Sequence, residues 1–260
     1  METSDTILFD KIIFGPVKSR RLGLSLGINL LPTDSKLCNF DCIYCECGWS
    51  NIKGTKKYFH PRAEVSKSLE ETLIRLKTQN IIPDAITFAG NGEPTMHPDF
   101  LKIINDTIYI RNKYFPETKI VVLTNAVMLN KIEVVEALKK ADMRILKLDA
   151  GTEDTFQKIN QPIARRSLRW IVDHLKYFKN DLIVQTLFVK GNCKGKYVDN
   201  TTDDEINAWL ELIKEINPKQ VMIYSIDRTT AERGLEKISF EKLSEIALKV
   251  TEMGIDAMVS

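Results

Sequence analysis

The chain has 260 residues and carries 37 lysines and arginines against 35 aspartates and glutamates, for a formal net charge of +2. Apolar residues make up 43% and charged residues 28%. These fractions are ordinary for a globular protein and exclude a disordered, collagen-like or coiled-coil chain. The near-balanced charge argues against a dedicated nucleic-acid-binding module, which usually carries a concentrated basic excess.

The chain shows neither a membrane span nor a secretion signal. No apolar run reaches the roughly 18–20 residues that cross a bilayer. The polar start, Met1–Asp5, lacks the basic and apolar regions of a signal peptide. We therefore expect a cytoplasmic protein with no membrane partner. Because the cytoplasm keeps thiols reduced, the five cysteines are expected to be metal ligands or bystanders rather than disulfides.

Short segments rich in β-branched residues alternate with amphipathic segments along most of the chain. Strands are predicted at 85–89, 119–123, 144–148, 182–188 and 220–224, with weaker candidates at 23–31 and 255–259. Their nearly continuous apolar character is typical of parallel strands that are covered on both faces.

Helices are predicted between these strands. The first covers residues 64–79, the second begins at Pro98 and the third follows Asn130. Thr202 and Ser239 have the chemistry of helix N-caps ahead of the last two helices. This alternation predicts right-handed crossovers and one parallel α/β sheet, and no linker divides the chain. Periodicity alone does not decide whether the sheet closes.

Three cysteines form the sharpest motif. Cys38, Cys42 and Cys45 are spaced as C-x3-C-x2-C, and soft thiolates at such spacing bind zinc or an iron–sulfur cluster. A structural zinc ion needs four protein ligands, and the nearby Cys47 follows Cys45 at a poor spacing. Three ligands with one open position favour a 4Fe–4S cluster with one free iron. Zinc and coincidental cysteines are the weaker alternatives.

This spacing, with the aromatic Tyr44 directly before the third cysteine, resembles the defining motif of radical S-adenosylmethionine (SAM) enzymes. In that family, SAM chelates the free iron, and its reductive cleavage releases methionine and a 5′-deoxyadenosyl radical that abstracts hydrogen from the substrate. The resemblance implies a 4Fe–4S cluster and SAM as cofactors, with Cys38, Cys42 and Cys45 as the metal ligands. It also implies a reducing partner such as flavodoxin or ferredoxin.

A glycine-rich turn gives independent support. Gly90, Asn91, Gly92 and Glu93 precede Pro94 at the end of the second predicted barrel strand and resemble the Gly-Gly-Glu element of the same family. That element touches the amino group of the methionine moiety. Glycine lets backbone approach a ligand closely, and a carboxylate suits an ammonium. Because Asn91 interrupts the glycine pattern, Glu93 is the safer assignment.

Segments 14–23, 90–98 and 147–149 resemble, more narrowly, a stand-alone branch related to tRNA wyosine-base synthases. The implied fold is a partial (β/α)6 TIM-like barrel in a single domain over 1–260, with a lead-in at 1–22 and the barrel at 23–260. Cluster and cofactor are expected at the carboxyl ends of its strands.

Polar residues at predicted strand ends complete the expected cofactor site. Tyr44 is expected to present its backbone and ring to the adenine, and Asn125 or Asp149 to bond the ribose hydroxyls. Polar side chains in apolar strands are costly to bury unless they are paired, which makes the set informative together. Individually, each residue could instead bond to neighbouring backbone. The remaining candidates are Thr124, Gln185 and Tyr224.

The substrate candidates are Arg20, Arg21, Lys147 and Cys193. The two arginines could reach an anionic or heteroaromatic substrate through their planar donor forks, with a solvated surface pair as the alternative. Lys147 belongs to the fourth barrel strand. Cys193 falls in a predicted loop after the fifth strand, where a bystander thiol is the alternative.

Three substrate readings remain open within this class. The favoured one is a small nucleobase-like molecule, with lyase cleavage of the modified 7-deazaguanine queuine as the named guess. The second is wyosine-type tRNA modification, and the third is activation of a glycyl-radical enzyme. A nucleic-acid substrate is not favoured, because the basic clusters at Arg20–Arg21, Lys53–Lys57 and Arg165–Arg169 come from distant parts of the chain. A non-enzymatic iron–sulfur electron carrier would need no open iron and no Glu93 element.

Overall fold

The computed structural model describes residues 7–50, 58–163 and 166–260. Its strands are β1 (Ile13–Ser19), β2 (Gly23–Ile28), β3 (Ala85–Phe88), β4 (Lys119–Thr124), β5 (Met143–Lys147), β6 (Ile183–Cys193), β7 (Lys196–Asp199), β8 (Gln220–Ser225), β9 (Leu235–Lys237) and β10 (Asp256–Val259). Its helices are α1 (Arg62–Thr78), α2 (Phe100–Tyr114), α3 (Ile132–Lys140), α4 (Glu153–Ile159), α5 (Leu168–Leu175), α6 (Asp203–Ile216) and α7 (Phe240–Glu252).

The sheet is mostly parallel and follows the order β1-β2-β3-β4-β5-β6-β8-β10. Strands β2 to β6, β8 and β10 pair in parallel, whereas β1 pairs antiparallel with β2. The short strands β7 and β9 pair antiparallel with the distal half of β6. The predicted fold class, a single-domain α/β partial barrel, is confirmed. The limits of its lead-in stay a prediction.

The seven strands predicted from β-branched runs all form, but three antiparallel strands were not predicted. β1 is short of apolar residues and contains Pro16, so it gives no strand signal. β6 also continues to Cys193, because a turn at Lys194 and Gly195 folds β7 back onto it. The expectation that Cys193 lies in a loop is therefore wrong.

Helix boundaries agree with the capping predictions in part. Thr202 and Ser239 accept the backbone N–H groups of Glu205 and Lys242, which confirms both N-caps. Pro98 does not begin α2, because Asp99 occupies its N-cap position. Asn130 does not cap α3, because residues 127–130 form a 3-10 turn that precedes the helix. Within the described ranges, no helix is long and apolar enough to cross a membrane.

The strands separate two apolar layers. The larger core lies between the sheet and the helices. A smaller cluster fills the amino-terminal end of the barrel interior and consists of Ala85, Val121, Ile145, Ile183 and Met222. Side chains two residues further along these strands line a cavity instead, as Thr87, Leu123 and Gln185 show. The fold therefore plugs one end of the barrel and leaves the carboxyl end open for a site.

Candidate functional site

The loop after β2, which we call the cysteine loop, brings the three motif cysteines to one cavity. Cys38 and Cys42 are buried and Cys45 is half-buried. All three line a cavity of about 300 Å³ at the carboxyl ends of the parallel strands, which we call the upper cavity. The same cavity is lined by predicted residues from five strands and the turns that follow them, namely Gly90, Gly92, Glu93, Thr124, Asn125, Lys147, Gln185 and Tyr224. The structure thus brings together most of the residues that the sequence predicted.

The glycine-rich turn docks against the start of the cysteine loop. The N–H of Leu37 donates to the Asn91 carbonyl at 2.8 Å, and the N–H of Glu93 donates to the Leu37 carbonyl at 3.1 Å. A Cβ atom on Gly92 would lie 1.9 Å from the Leu37 carbonyl oxygen, and its φ is +138°. Gly92 is therefore required so that the two segments can approach each other. The sequence predicted instead that glycine here allows the close approach of a ligand.

Asn91 does not present its side chain to the cavity. Its Nδ2 donates to the carbonyls of Phe9 at 2.9 Å and Pro32 at 2.8 Å, and its Oδ1 accepts the N–H of Phe9. These contacts fasten the lead-in segment to the turn. The predicted cofactor contact by this side chain is therefore replaced by a structural link.

Glu93 is buried and joins two strand ends. Its Oε1 accepts from the hydroxyl of Thr124 at 2.7 Å and from the N–H and hydroxyl of Thr95, while Oε2 accepts from the N–H of Asn125 at 2.7 Å. Burial raises the pKa of Glu93, and these hydrogen bonds oppose that rise. The Asn125 amide also lies 3.6 Å from the Cys38 sulfur. The carboxylate therefore connects β3, β4 and the cysteine loop.

The cysteine thiols have unequal acidities. Contact with the Cys47 thiol, and next the ammonium of Lys36, lower the pKa of Cys45 below its usual range. Burial raises the pKa of Cys42 to about 11 and that of Cys38 further. Burial would lower the pKa of Lys36, but the surrounding thiols and Asp41 raise it above its usual range.

The spread of the thiols bears on which metal group they fit. Among residues 7–50, 58–163 and 166–260, no three Cys, His, Asp or Glu side chains converge closely enough to hold one metal ion. A zinc ion would draw its ligands onto a single centre. A cubane cluster binds each thiolate at a different iron and leaves the sulfurs apart. Three soft thiolate donors on one cavity wall suit an iron–sulfur cluster.

Asp149 lies behind the cavity wall and already has several partners. The hydroxyl of Tyr44 and the Nδ2 of Asn160, at 2.8 Å, donate to its Oδ2, and the N–H of Leu187 donates to Oδ1 at 2.9 Å. Burial, and next the charge of Asp149, raise the pKa of Tyr44. The ribose contact expected of Asp149 finds no support in this geometry. Tyr44 presents its ring to the cavity while its hydroxyl points to Asp149.

Lys147, Tyr224 and Arg21 form a stack beside that wall. The Lys147 ammonium donates to the Tyr224 hydroxyl at 2.8 Å and lies 3.8 Å from Asp149. The Arg21 guanidinium lies 4.5 Å from the centre of the Tyr224 ring, a cation–π distance. Its Nη1 is buried and has no hydrogen-bond partner among the described residues. Arg21 thus keeps a free donor edge.

A second cavity of about 310 Å³ occupies the barrel interior below the first. Its walls are inward-facing strand residues, such as Ser25 and Thr87, and the β1–β2 hairpin closes one side. Five residues line both cavities: Arg21, Glu46, Ala89, Leu123 and Gln185. The two cavities therefore adjoin, and we call the shared wall the junction. Gln185 is 4% exposed, and its side chain lines both cavities.

The remaining predicted substrate residues lie elsewhere. Arg20 lines only the interior cavity and pairs with Asp227 at 3.7 Å. Cys193 is buried at the end of β6, outside both cavities, with its sulfur 4.0 Å from Gln161. Sequence reasoning missed Lys36, Glu46 and Asn160. No periodicity or spacing marks these residues, because their roles arise from contacts between distant segments.

Comparison with known proteins identifies the class that this barrel and its cysteine loop define. The model of the Radical SAM superfamily matches residues 34–192, more than half of the chain. The UPF0026 protein slr1464 of Synechocystis sp. is 32% identical over 233 residues, which is 86% of this chain and 78% of that protein. The chain therefore belongs to the radical SAM superfamily, and within it to the UPF0026 proteins. Its cofactors are accordingly a 4Fe–4S cluster and SAM.

Two further likenesses are consistent with this assignment. The protein named GTPase Obg of Brachyspira hyodysenteriae is 31% identical over 240 residues, but the chain spans 90% of its own length and only 33% of that protein. The crystal structure of a radical SAM methyltransferase from Sphaerobacter thermophilus superposes with a TM-score of 0.66 at 13% identity, over 91% of this chain and 66% of that one. That likeness concerns the fold alone. The narrower resemblance to wyosine-base synthases is not confirmed and stays a prediction.

Proposed function

We propose that Cys38, Cys42 and Cys45 ligate the 4Fe–4S cluster and leave one iron free for SAM in the upper cavity. The observation that carries this proposal is that the three thiols share one cavity wall with Glu93. Bound there, SAM would supply a 5′-deoxyadenosyl radical on one-electron reduction. The electron would come from a donor of the flavodoxin or ferredoxin class.

Within that cavity, the chain's own groups bind and orient SAM. Glu93 Oε2 accepts only one hydrogen bond from the described residues, so it keeps capacity for the methionine ammonium. Thr124 and Asn125 hold the carboxylate in place from the neighbouring strand. The side chains of Phe40, Leu123 and Leu187 supply apolar walls, which limit water around a reactive radical.

The interior cavity is the proposed substrate site. Its volume of about 310 Å³ lies at the lower end of the range for small-molecule sites, roughly 300–1,000 Å³. The junction offers the free donor edge of Arg21, the amide of Gln185 and the carboxylate of Glu46, between the apolar Ala89 and Leu123. The Glu46 carboxylate also pairs with Arg228 at 3.0 Å. Such donors and acceptors suit the edge of a planar heterocycle. We therefore favour a nucleobase-like substrate and retain lyase cleavage of queuine as the named candidate.

Wyosine-type tRNA modification is the second candidate, and the described basic residues offer it limited support. Arg20 is paired with Asp227, and Arg169 is paired with both Asp173 and Glu215. The Lys53–Lys57 cluster and Arg165 lie outside the described residues. No contact in the described part of the chain favours the third reading, a glycyl-radical-enzyme activase. The electron-carrier reading is set aside, because members of this superfamily are enzymes.

The test is anaerobic turnover of the reconstituted protein with a chemical reductant. We expect methionine and 5′-deoxyadenosine in equal amounts, with release accelerated by queuine or a related free base. Cys38→Ala is the inactive control, and Arg21→Met should retain slow SAM cleavage while losing the acceleration. Absence of 5′-deoxyadenosine from a protein that contains a full cluster would contradict the proposed chemistry. Acceleration by modified tRNA alone would favour the second candidate.

A further inference from the structure

Lys36 is a buried lysine that spans the two arms of the cysteine loop. Its side chain is 2% exposed, and it lies two residues before Cys38. Its ammonium donates to the Gly48 carbonyl at 2.9 Å and to Asp41 Oδ1 at 3.2 Å. Asp41 precedes the second cysteine of the motif, and Gly48 follows the third. One side chain therefore ties the beginning of the loop to its end.

A second contact makes this link rigid. The same Asp41 oxygen accepts the N–H of Ser50 at 2.7 Å, so the carboxylate also connects both arms. Lys36 lines the upper cavity together with all three motif cysteines. A buried ammonium is costly unless negative groups surround it. Asp41 supplies one negative group, and the cysteine thiolates would supply the others when they ligate the cluster.

We infer that Lys36 is a positioning residue that fixes the cysteine loop and raises the reduction potential of the cluster. An electron delivered by a flavodoxin- or ferredoxin-class donor adds one negative charge to the site. The nearby ammonium stabilises that added charge, so it favours the reduced state over the oxidised state. This inference rests on the proposed placement of the cluster at Cys38, Cys42 and Cys45.

The test is a redox titration of the reconstituted protein, followed by electron paramagnetic resonance. Lys36→Met removes the positive charge and should shift the midpoint potential to a more negative value. Asp41→Asn keeps the shape of the side chain and the acceptor for Ser50 but removes a negative charge. It should therefore shift the potential in the opposite direction. A purely structural role would not produce opposite signs, because loosening the loop admits water in both variants.

Lys249→Met is the matched control. Lys249 lies in the last turn of α7, just before β10, at the amino-terminal end of the barrel. Its replacement removes the same charge far from the cysteine loop and should leave the potential unchanged. Iron content and circular dichroism would establish that each variant retains its cluster and fold.

The outcomes separate this inference from the proposed function. Wild-type protein without iron or a cluster signal would defeat the proposed cluster site itself. A normal cluster whose potential does not become more negative in Lys36→Met would overturn the inference and leave the cluster site standing. If Lys36→Met loses its cluster, Asp41→Asn decides the matter. An unchanged or more negative potential in that variant would also overturn the inference.

Discussion

The four cysteines of the cysteine loop differ in what they can contribute, although they lie within ten residues of one another. Cys47 lines the same cavity as the other three thiols, and its S–H donates to the Gly90 carbonyl at 3.6 Å. We expect Cys47 to be a supporting residue, because the C-x3-C-x2-C spacing assigns Cys38, Cys42 and Cys45 as the proposed ligands.

Replacing Cys38, Cys42 or Cys45 with Ala should abolish the cluster, because each change leaves one iron without its thiolate. Cys47→Ala should keep the cluster, with full iron content after anaerobic reconstitution. Iron and sulfide analysis together with visible absorbance would measure both results. Retention of a full cluster by Cys38→Ala, with its loss from Cys47→Ala, would reverse the assignment of ligands.

Glu93→Gln should weaken SAM binding and also destabilise the fold. The amide NH2 must face N–H or O–H donors that now point at a carboxylate oxygen, from Thr124 and Thr95 or from Asn125. Hydrogen bonds to charged groups contribute roughly 1.5–3 kcal/mol each, and we expect a loss of that order in the free energy of unfolding. Urea unfolding and SAM titration would test this, with the exposed Glu136→Gln on α3 as the control. Unchanged SAM affinity would remove Glu93 from the cofactor site.

Cys45 should be the most reactive thiol of the cluster-free protein. A thiolate is the nucleophile, and contact with Cys47 and the ammonium of Lys36 lower the pKa of Cys45, whereas burial raises that of Cys42 to about 11. The rate of alkylation by iodoacetamide should therefore reach its plateau at a lower pH for Cys45 than for Cys42. Peptide mapping of the labelled protein gives the site and rate. Preferential labelling of Cys42, or a midpoint near 9, would contradict this expectation.

Among the strands and helices, the sequence predicts the features that depend on contacts between neighbouring residues. The β-branched runs and the caps at Thr202 and Ser239 were predictable, because each depends on neighbours in sequence. The strands β1, β7 and β9 were not, since their pairing depends on the barrel and on turns. The helix α4 was also not predicted, because Glu205 of α6, which is distant in sequence, holds its first residues through hydrogen bonds.

Glu205→Ala should lower the free energy of unfolding by at least about 2 kcal/mol, within the range known for hydrogen bonds to charged groups. The buried carboxylate of Glu205 accepts the N–H groups of Gly151 and Thr152, and the hydroxyls of Thr152 and Thr155, at the start of α4. Its removal leaves those amides without a partner. Denaturant unfolding would measure the loss. The exposed Glu211→Ala on the same helix should change stability by less than about 0.5 kcal/mol, and equal effects would refute the link.

At the scale of the whole molecule, the sequence predicted where the site lies but not its division into two cavities. Strand-end residues such as Thr124 and Lys147 converge because parallel strands end at one edge. The interior cavity depends on Thr87 and Gln185 facing inward and on the β1–β2 hairpin covering them. No motif encodes that arrangement. It follows from the register of the sheet and from a lead-in that folds as a strand.

The protein should bind a small substrate in preference to folded nucleic acid. Each phosphate that a protein neutralises adds about 0.9 to the slope of log affinity against log salt. Several described arginines are already paired with carboxylates, so we expect weak tRNA binding with a shallow slope. Titration of fluorescent tRNA at rising salt, beside a panel of free bases, would measure this. Tight binding with a steep slope and no response to any free base would contradict it.

The ends of the sheet give the barrel a property that closed barrels lack. β1 and β10 terminate the strand order, and the ion pair of Arg20 with Asp227 reaches from the β1–β2 turn to the loop after β8. Both side chains are about half exposed, and such surface pairs contribute only about 0–1 kcal/mol. Two backbone hydrogen bonds also cross this gap, from the N–H groups of Ala231 and Glu232 to the carbonyls of Cys45 and Ile43. Widening of the barrel along this seam would break no strand ladder, but it would move the cysteine loop.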